Sequence, residues 1–196
     1  MEGYYYGILD VYYAIMKTED TATAAPTYED PAVLAKSIEV TITPAYREGK
    51  LYASNATVRD KKKIDSYGVK LNVDKIPAGV LNTILGRIKD KNGVQIIKGG
   101  NEPARLAIGF ALTLDNGEKE LWWLYKGQFA EPSVTGKTDA DKFEYQTPNI
   151  EGTLIRRIYD DALAAVVDTG VTGVGASVGS CWFMVVFEGE VGTDAG

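Results

Sequence analysis

Arg105-Leu-Ala-Ile-Gly-Phe-Ala-Leu-Thr-Leu-Asp-Asn-Gly117 is the stretch that decides the fold. Leu106, Ile108, Phe110, Leu112 and Leu114 recur at every second position. Ala107, Gly109 and Ala111, all small, occupy the positions between them. A period of two puts these sets on opposite faces of a strand. Asp115-Asn116-Gly117 is a strong hairpin signal, because a tight turn needs residues that tolerate positive φ. The chain then returns through Lys119 to Gln128 with Trp122, Trp123 and Tyr125. Adjacent tryptophans on a strand face opposite sides. One is expected in the core, and the other toward solvent or a partner.

The same period appears upstream. Ser37 to Thr43 alternates, with Ile38, Val40 and Ile42 on one face and Ser37, Glu39, Thr41 and Thr43 on the other. Asp65 to Asp74 alternates again through Tyr67, Val69, Leu71 and Val73. The two are expected to pair as a hairpin, with Pro44 ending the first strand. Between them Ala45 to Ile64 is expected to be a loop of about 20 residues, a length that tends to be functional or disordered. Tyr4 to Met16 predicts an opening strand broken near Gly7. Thr18 to Pro31 predicts a loop, and Gly152 to Ile158 another strand.

One short helix is expected from Pro77, capped by Asp74. Val80, Leu81, Ile84, Leu85 and Ile88 form its apolar packing stripe. Asp160 to Asp168 predicts a second short helix. The glycine-rich stretch after it leads to an apolar run, Cys181 to Phe187, expected to be one more strand. The expected architecture is mainly β: an antiparallel β-sandwich or barrel, one flanking helix and a long inter-strand loop. Residues 1–167 are assigned to that domain and 168–196 to a Gly-rich C-terminal extension.

Composition narrows the chemistry. The 196 residues include no histidine and one cysteine, and the formal net charge is −6. His-dependent triads and His-ligated metals are excluded, as are intrachain disulfides and thiolate clusters. Cys181, beside Trp182, is expected to be a small core residue. Gly170-Val-Thr-Gly173-Val-Gly175 lacks the Lys-Ser/Thr of a phosphate loop. Asp160 and Asp161 would diverge on a helix rather than converge on a metal. No cofactor or metal is expected, and no catalysis. Carboxylate-only glycoside hydrolysis stays formally open, but nothing picks out its two carboxyls. The N-terminus lacks a signal-peptide pattern, and the Cys181–Phe187 run is far shorter than the ~20 residues of a spanning helix. The expectation is a soluble chain with no membrane partner, made in a cytoplasm.

Charge is unevenly placed. Arg47, Lys50, Arg59, Lys61, Lys62 and Lys63 face only Glu48 and Asp60 within residues 45–64. Residues 1–35 carry Glu2, Asp10, Glu19, Asp20, Glu29 and Asp30 against Lys17 alone. The basic segment has three readings: docking on an acidic face of a second copy, a solvated loop, or nucleic-acid contact.

Several segments, in order, resemble the major tail proteins of long non-contractile-tailed bacteriophages, which build the tail tube. They are Gly7-Ile-Leu-Asp-Val-Tyr-Tyr-Ala14 before a Pro/Ala/Thr loop, Ala35-Lys-Ser-Ile-Glu-Val-Thr-Ile-Thr-Pro44 before a long loop, and Tyr67-Gly-Val-Lys-Leu71 before a helix ending Ile84-Leu-Gly86. Ala107-Ile-Gly-Phe110 into Trp122-Trp-Leu-Tyr-Lys-Gly127 follows, then Pro132-Ser-Val and Phe143-Glu-Tyr-Gln-Thr-Pro148. The resemblance spans about residues 4 to 160, and the chain departs from it after Asp168.

The resemblance implies a virion tail protein made in the bacterial host cytoplasm. Its copies would form hexameric rings stacked into a hollow tube through which DNA is ejected without specific binding. Its partners would be itself and the tail terminator, tape measure and tail tip proteins. The ring-stacking loop would be the basic segment, Arg47 to Lys63. Glu39, Thr41, Lys70 and Asn72, on the polar strand faces, are the candidate lumen residues. An acidic bore would let DNA slide. Two other readings are carried. One is the inner tube of a contractile tail-like injection device. The other is a β-sandwich binding carbohydrate or protein through Trp122, Trp123 and some of its 12 tyrosines.

Overall fold

The computed structural model describes residues 3–53, 56–134, 147–174 and 176–189; of these, 50–53, 56–60 and 176–177 are described by backbone path alone. In chain order the elements are β1 (Tyr5–Ile8), β2 (Val11–Thr18), β3 (Thr27–Tyr28), β4 (Ala32–Ala35), β5 (Ser37–Ala53), β6 (Ala56–Val73), α1 (Ala78–Leu85), β7 (Ile88–Lys89), β8 (Gln95–Ile96), β9 (Leu106–Leu114), β10 (Lys119–Phe129), β11 (Asn149–Ile155), β12 (Ala164–Asp168) and α2 (Ala176–Cys181). The fold is mainly β and antiparallel, as the sequence pattern predicts, with two helices among the described residues rather than one flanking helix.

β9 and β10 are its spine. They pair from Lys119 opposite Thr113 to Gly127 opposite Leu106, with an irregularity between Leu124 and Gly127. The turn at Asp115–Gly117 closes with Gly117 at φ 86°, the left-handed region that favours glycine. β1 and β2 lie end to end along the far edge of β9. They are one strand interrupted at Leu9–Asp10, slightly later than the break expected near Gly7, where the register shifts instead.

β10 divides its own far edge. Gly127–Phe129 pairs with β11, and Glu120–Leu124 pairs with β12. β11 continues to β6, and β6 to β5. β4 returns to pair with β2, and only Lys36 separates it from β5. The pairings therefore close a circuit through β2, β9, β10, β11, β6 and the joined β5 and β4. This is a barrel filled by one core.

That core holds Val11, Leu34, Val69, Leu71, Val73, Leu106, Ile108, Phe110, Leu124, Phe129, Ile150 and Leu154. Ile76, Ile84 and Leu85 join it from α1 and the turn before it, with Val80 and Leu81 half-buried against it. Pro77 precedes α1 without a side-chain cap, and Asp74 instead bonds the neighbouring Lys75 N–H at 2.6 Å. Gly86 ends the helix, with the Arg87 N–H donating to the Asn82 carbonyl at 2.9 Å. Ile88 therefore leaves the expected stripe: it lies past the cap, in β7, and is exposed.

A second core lies on the outer face of β2, β9 and β10. Ala14, Ala107, Ala111, Leu121, Trp123 and Tyr125 meet Trp182 and Val186 there. This explains the small face of β9. A Cβ on Gly109 would stand 2.9 Å from the Trp123 ring, so the indole lies directly over the strand.

The C-terminal third differs from expectation. Residues 160–163 are turn and coil, and Ala164–Asp168 is strand β12, not helix. The Cys181–Phe187 run is the end of α2 and the turn after it, not a strand, and Cys181 is exposed. Only Trp182 and Val186 of that run are buried, a spacing of four that suits a helical turn.

Candidate functional site

The largest correction concerns the loop expected at Ala45–Ile64. β5 and β6 continue through it as a ribbon, from Tyr46 opposite Ile64 to Ala53 opposite Ala56. Pro44 does not stop β5; it sits within the strand opposite Tyr67. β5 has no outer neighbour there among the described residues, and an edge strand tolerates a missing N–H. β11 covers β6 only from Ser66 to Asn72. Beyond Ser66 the ribbon has two open edges and extends roughly 25–30 Å from the barrel at strand rise.

Residues directly opposite on a ribbon share a face. Arg47 is opposite Lys63 and Gly49 is opposite Lys61, so Arg47, Lys61 and Lys63 share one face. Tyr46, Glu48, Lys62 and Ile64 share the other. On that second face Lys62 pairs with Glu48 at 2.9 Å and lies 4.3 Å over the Tyr46 ring. Arg47 reaches sideways to Asp65 at 3.3 Å. Like charges opposite one another cost stability unless an anion meets them. The side chains of Lys50 and Arg59 lie outside the described residues. Their backbones pair with Asp60 and Leu51.

The candidate lumen residues also come together. Thr41, Lys70 and Glu151 align across β5, β6 and β11, as do Glu39, Asn72 and Asn149. They lie on the face opposite the buried Val69, Leu71 and Val73, and Lys70 pairs with Glu151 at 3.2 Å. Glu39, Thr41 and Lys70 are exposed and Asn72 is half-buried. A groove of about 790 Å³ runs over this face, lined by Thr41, Lys70, Arg105, Gln128, Glu151 and Thr153 among others.

The tryptophans do not form a surface site. Trp123 is buried, and its Nε1 donates to the Trp182 carbonyl at 2.8 Å. Trp122 is half-buried, stacks on Phe110 at 5.8 Å and donates to Glu120 at 2.6 Å. Tyr4, Tyr5 and Tyr6 are the most exposed aromatics among the described residues, ahead of Tyr46, Tyr159 and Phe187.

A buried polar cluster had no signal in the sequence. Lys126 donates to Asp20 at 2.5 Å with both side chains out of solvent, and Asp20 also accepts the Ile158 and Tyr159 N–H groups. Burial works to raise the Asp20 pKa. The ammonium and the two N–H donors outweigh it, and the carboxyl ionises below its usual range. Next to this pair Arg157 stacks 3.9 Å over Tyr125 and holds Asp160 and Glu188. Burial wins at Glu188 and raises its pKa, whereas the Arg157 and Ala162 donors lower that of Asp160. Burial pushes the Tyr125 phenol up to about 12 and raises Tyr28 as well. Tyr28 donates to the Tyr125 carbonyl and Tyr125 to the Phe187 carbonyl, at 2.9 and 2.8 Å. The cluster fastens the segment after α2 to the barrel. Its charges are consumed by one another. Among the described residues no helix is long and apolar enough to cross a membrane.

No family model and no curated protein matches this chain. Among solved structures it is similar to a chain of the anti-feeding prophage baseplate, determined by cryo-EM with six-fold symmetrisation. The identity is 13%, coverage is 88% of this chain and 99% of that one, and the TM-score is 0.34.

Proposed function

We propose that this chain is a non-catalytic structural subunit that assembles with copies of itself, and that the assembly is a tail tube. The observation that carries the reading is the β5–β6 ribbon. A two-stranded ribbon free of the barrel is marginal in water, and open strand edges are normally covered. This one is long, has both edges open beyond Ser66, and gathers Arg47, Lys61 and Lys63 on one face. Arg47 already meets Asp65, and an acidic surface of a second copy would supply the missing neighbour and a counter-charge for Lys61 and Lys63. Stacked rings, with Glu39, Thr41, Lys70 and Asn72 facing a bore for DNA, are the arrangement the family resemblance adds. In the same reading the chain meets tail terminator, tape measure and tail tip proteins and resides in a virion.

The ligand-binding alternative loses its main residues, since Trp122 and Trp123 are committed to packing. A contractile device would need a further docking surface along the outside of the tube.

Negative-stain electron microscopy of the purified protein across concentration and salt tests the proposal. Rings or hollow tubes with a central channel are the expected result. Monomers at every concentration, including after addition of preformed tail tips, would refute it.

A further inference from the structure

β7 and β8 form a small hairpin separate from the barrel sheet. Ile88 stands opposite Ile96, and Lys89 opposite Gln95. Two charges are used locally. Asp90 closes the turn by accepting the Asn92 and Val94 N–H groups, at 2.9 and 2.7 Å. Arg87 roots the hairpin on Glu131, just past the end of β10, and on Gln95 at 3.3 Å. Lys89, Lys91 and Lys98 remain exposed. So do four aliphatic side chains, from 40% at Ile96 and 47% at Ile88 to 59% at Val94 and 60% at Ile97. Strands of two residues bury almost nothing of their own. Four exposed aliphatics on one such hairpin exceed the scattered exposure of an ordinary surface.

The other end of the β9–β10 spine has the opposite character. Tyr4, Tyr5 and Tyr6 are 81%, 60% and 76% exposed. The Tyr4 N–H donates to the Asp115 carboxylate and the Asp115 N–H to the Tyr4 carbonyl, at 2.9 and 3.0 Å, which holds the tyrosines at the hairpin tip. Asp115 accepts from Tyr4 and Glu120 from Tyr5, Asp168 lies near the Tyr5 phenol, and Glu118 and Lys119 follow the turn in sequence. Tyr5 donates to Glu120 at 2.8 Å. The two poles are separated by the length of β10, roughly 35 Å at strand rise.

Aliphatics with ammonium groups at one pole match aromatics with carboxylates at the other. Apolar area, Coulomb attraction and ammonium–tyrosine contact all favour that pairing, and like poles repel. Because the poles lie on opposite ends of one chain, the contact is head-to-tail and repeats from copy to copy. We infer that the β7–β8 hairpin of one copy docks on the Tyr4–Tyr6 and Asp115–Glu120 tip of a second. The inference rests on the self-assembly proposed above, but uses residues distinct from the β5–β6 ribbon.

Sedimentation velocity and electron microscopy of charge-reversed variants test it. Lys89→Glu with Lys91→Glu and Lys98→Glu, or Asp115→Lys with Glu118→Lys, should each weaken association at least tenfold. Mixing the two variants should restore pairs that neither forms alone. Because Asp115 and Glu118 have bonds within the chain, cysteine pairing provides a second readout. In a Cys181→Ser background, Val94→Cys protein mixed with Tyr6→Cys protein should form a mixed disulfide dimer under mild oxidation. Association that survives each single-pole reversal unchanged, with no mixed disulfide, would overturn this contact while leaving self-assembly intact. A wild-type chain monomeric under all conditions would overturn both.

Discussion

The barrel and the ribbon share two strands but obey opposite rules. Within the barrel, Val69, Leu71 and Val73 of β6 enter the core with Val40 and Ile42 of β5 packed against it, while Thr41 and Lys70 face out; Ile38, expected on the apolar face, is exposed where the register shifts. Past Ser66 the described residues carry charge on both faces, Arg47, Lys61 and Lys63 on one and Glu48 and Lys62 on the other, and no third strand pairs there among the described residues. The barrel is stabilised by what it buries. In the proposed assembly the ribbon draws its stabilisation from a second copy. Substitutions in one should therefore change stability, and substitutions in the other should change association.

Trp123→Ala should give the largest effect. It empties the second core and removes the bond to Trp182, at a cost of about 3–5 kcal/mol, read by chemical denaturation. Lys126→Met should follow closely, because it leaves Asp20 ionised and buried, at about 3–5 kcal/mol. Adding Asp20→Asn should recover a substantial part of that loss. If the double variant is as unstable as the single one, the pair matters through shape rather than charge.

Solution pH offers a milder probe. Asp20 and Asp160 are shifted down, so their contribution is present above the ordinary carboxylate range and is lost as pH falls through their folded pKa values. Glu188 is shifted up and acts in the opposite sense. The midpoint of thermal unfolding should fall below about pH 4. At the alkaline end Tyr125 ionises at about 12 and Tyr28 is also shifted up, so their contribution holds up to pH ~10 and declines above it. Tyrosinate absorbance should show a late-titrating fraction that merges with the rest on unfolding. The smallest stability change should come from Lys61→Glu with Lys63→Glu, within about 0.5 kcal/mol. That variant should nevertheless block the growth of rings or tubes. Unchanged growth would remove the ribbon's proposed role.

The legibility of the sequence followed the same division. Alternation in 37–43, 65–74 and 105–114, and the Asp115–Gly117 turn, were readable because one face of each strand is core and the pattern records it. Residues 45–64 read as a loop because Arg47, Glu48, Lys61, Lys62 and Lys63 put exposed charge on both faces and leave no such record. Asp160 to Asp168 reads as a short helix from sequence, yet pairing of Ala164–Asp168 with β10 prevails. Cys181–Phe187 was an apolar run whose period is ambiguous at that length. Lys126 and Asp20 were invisible as partners because nothing local marks two charges that meet only when the barrel closes.

The bond from Trp123 to the Trp182 carbonyl also sets an order of events in the cell. The barrel strands leave the ribosome first, but one face of β9 and β10 must wait for residues 182–188 before it is covered. During that interval the nascent chain exposes Ala107, Leu121, Trp123 and Tyr125 as a sticky surface. Synthesis that stalls near Asp168 would yield a product fit for chaperones and proteases rather than for assembly. Burial of Trp182 and Val186 against Trp123 is thus the step that closes the second core.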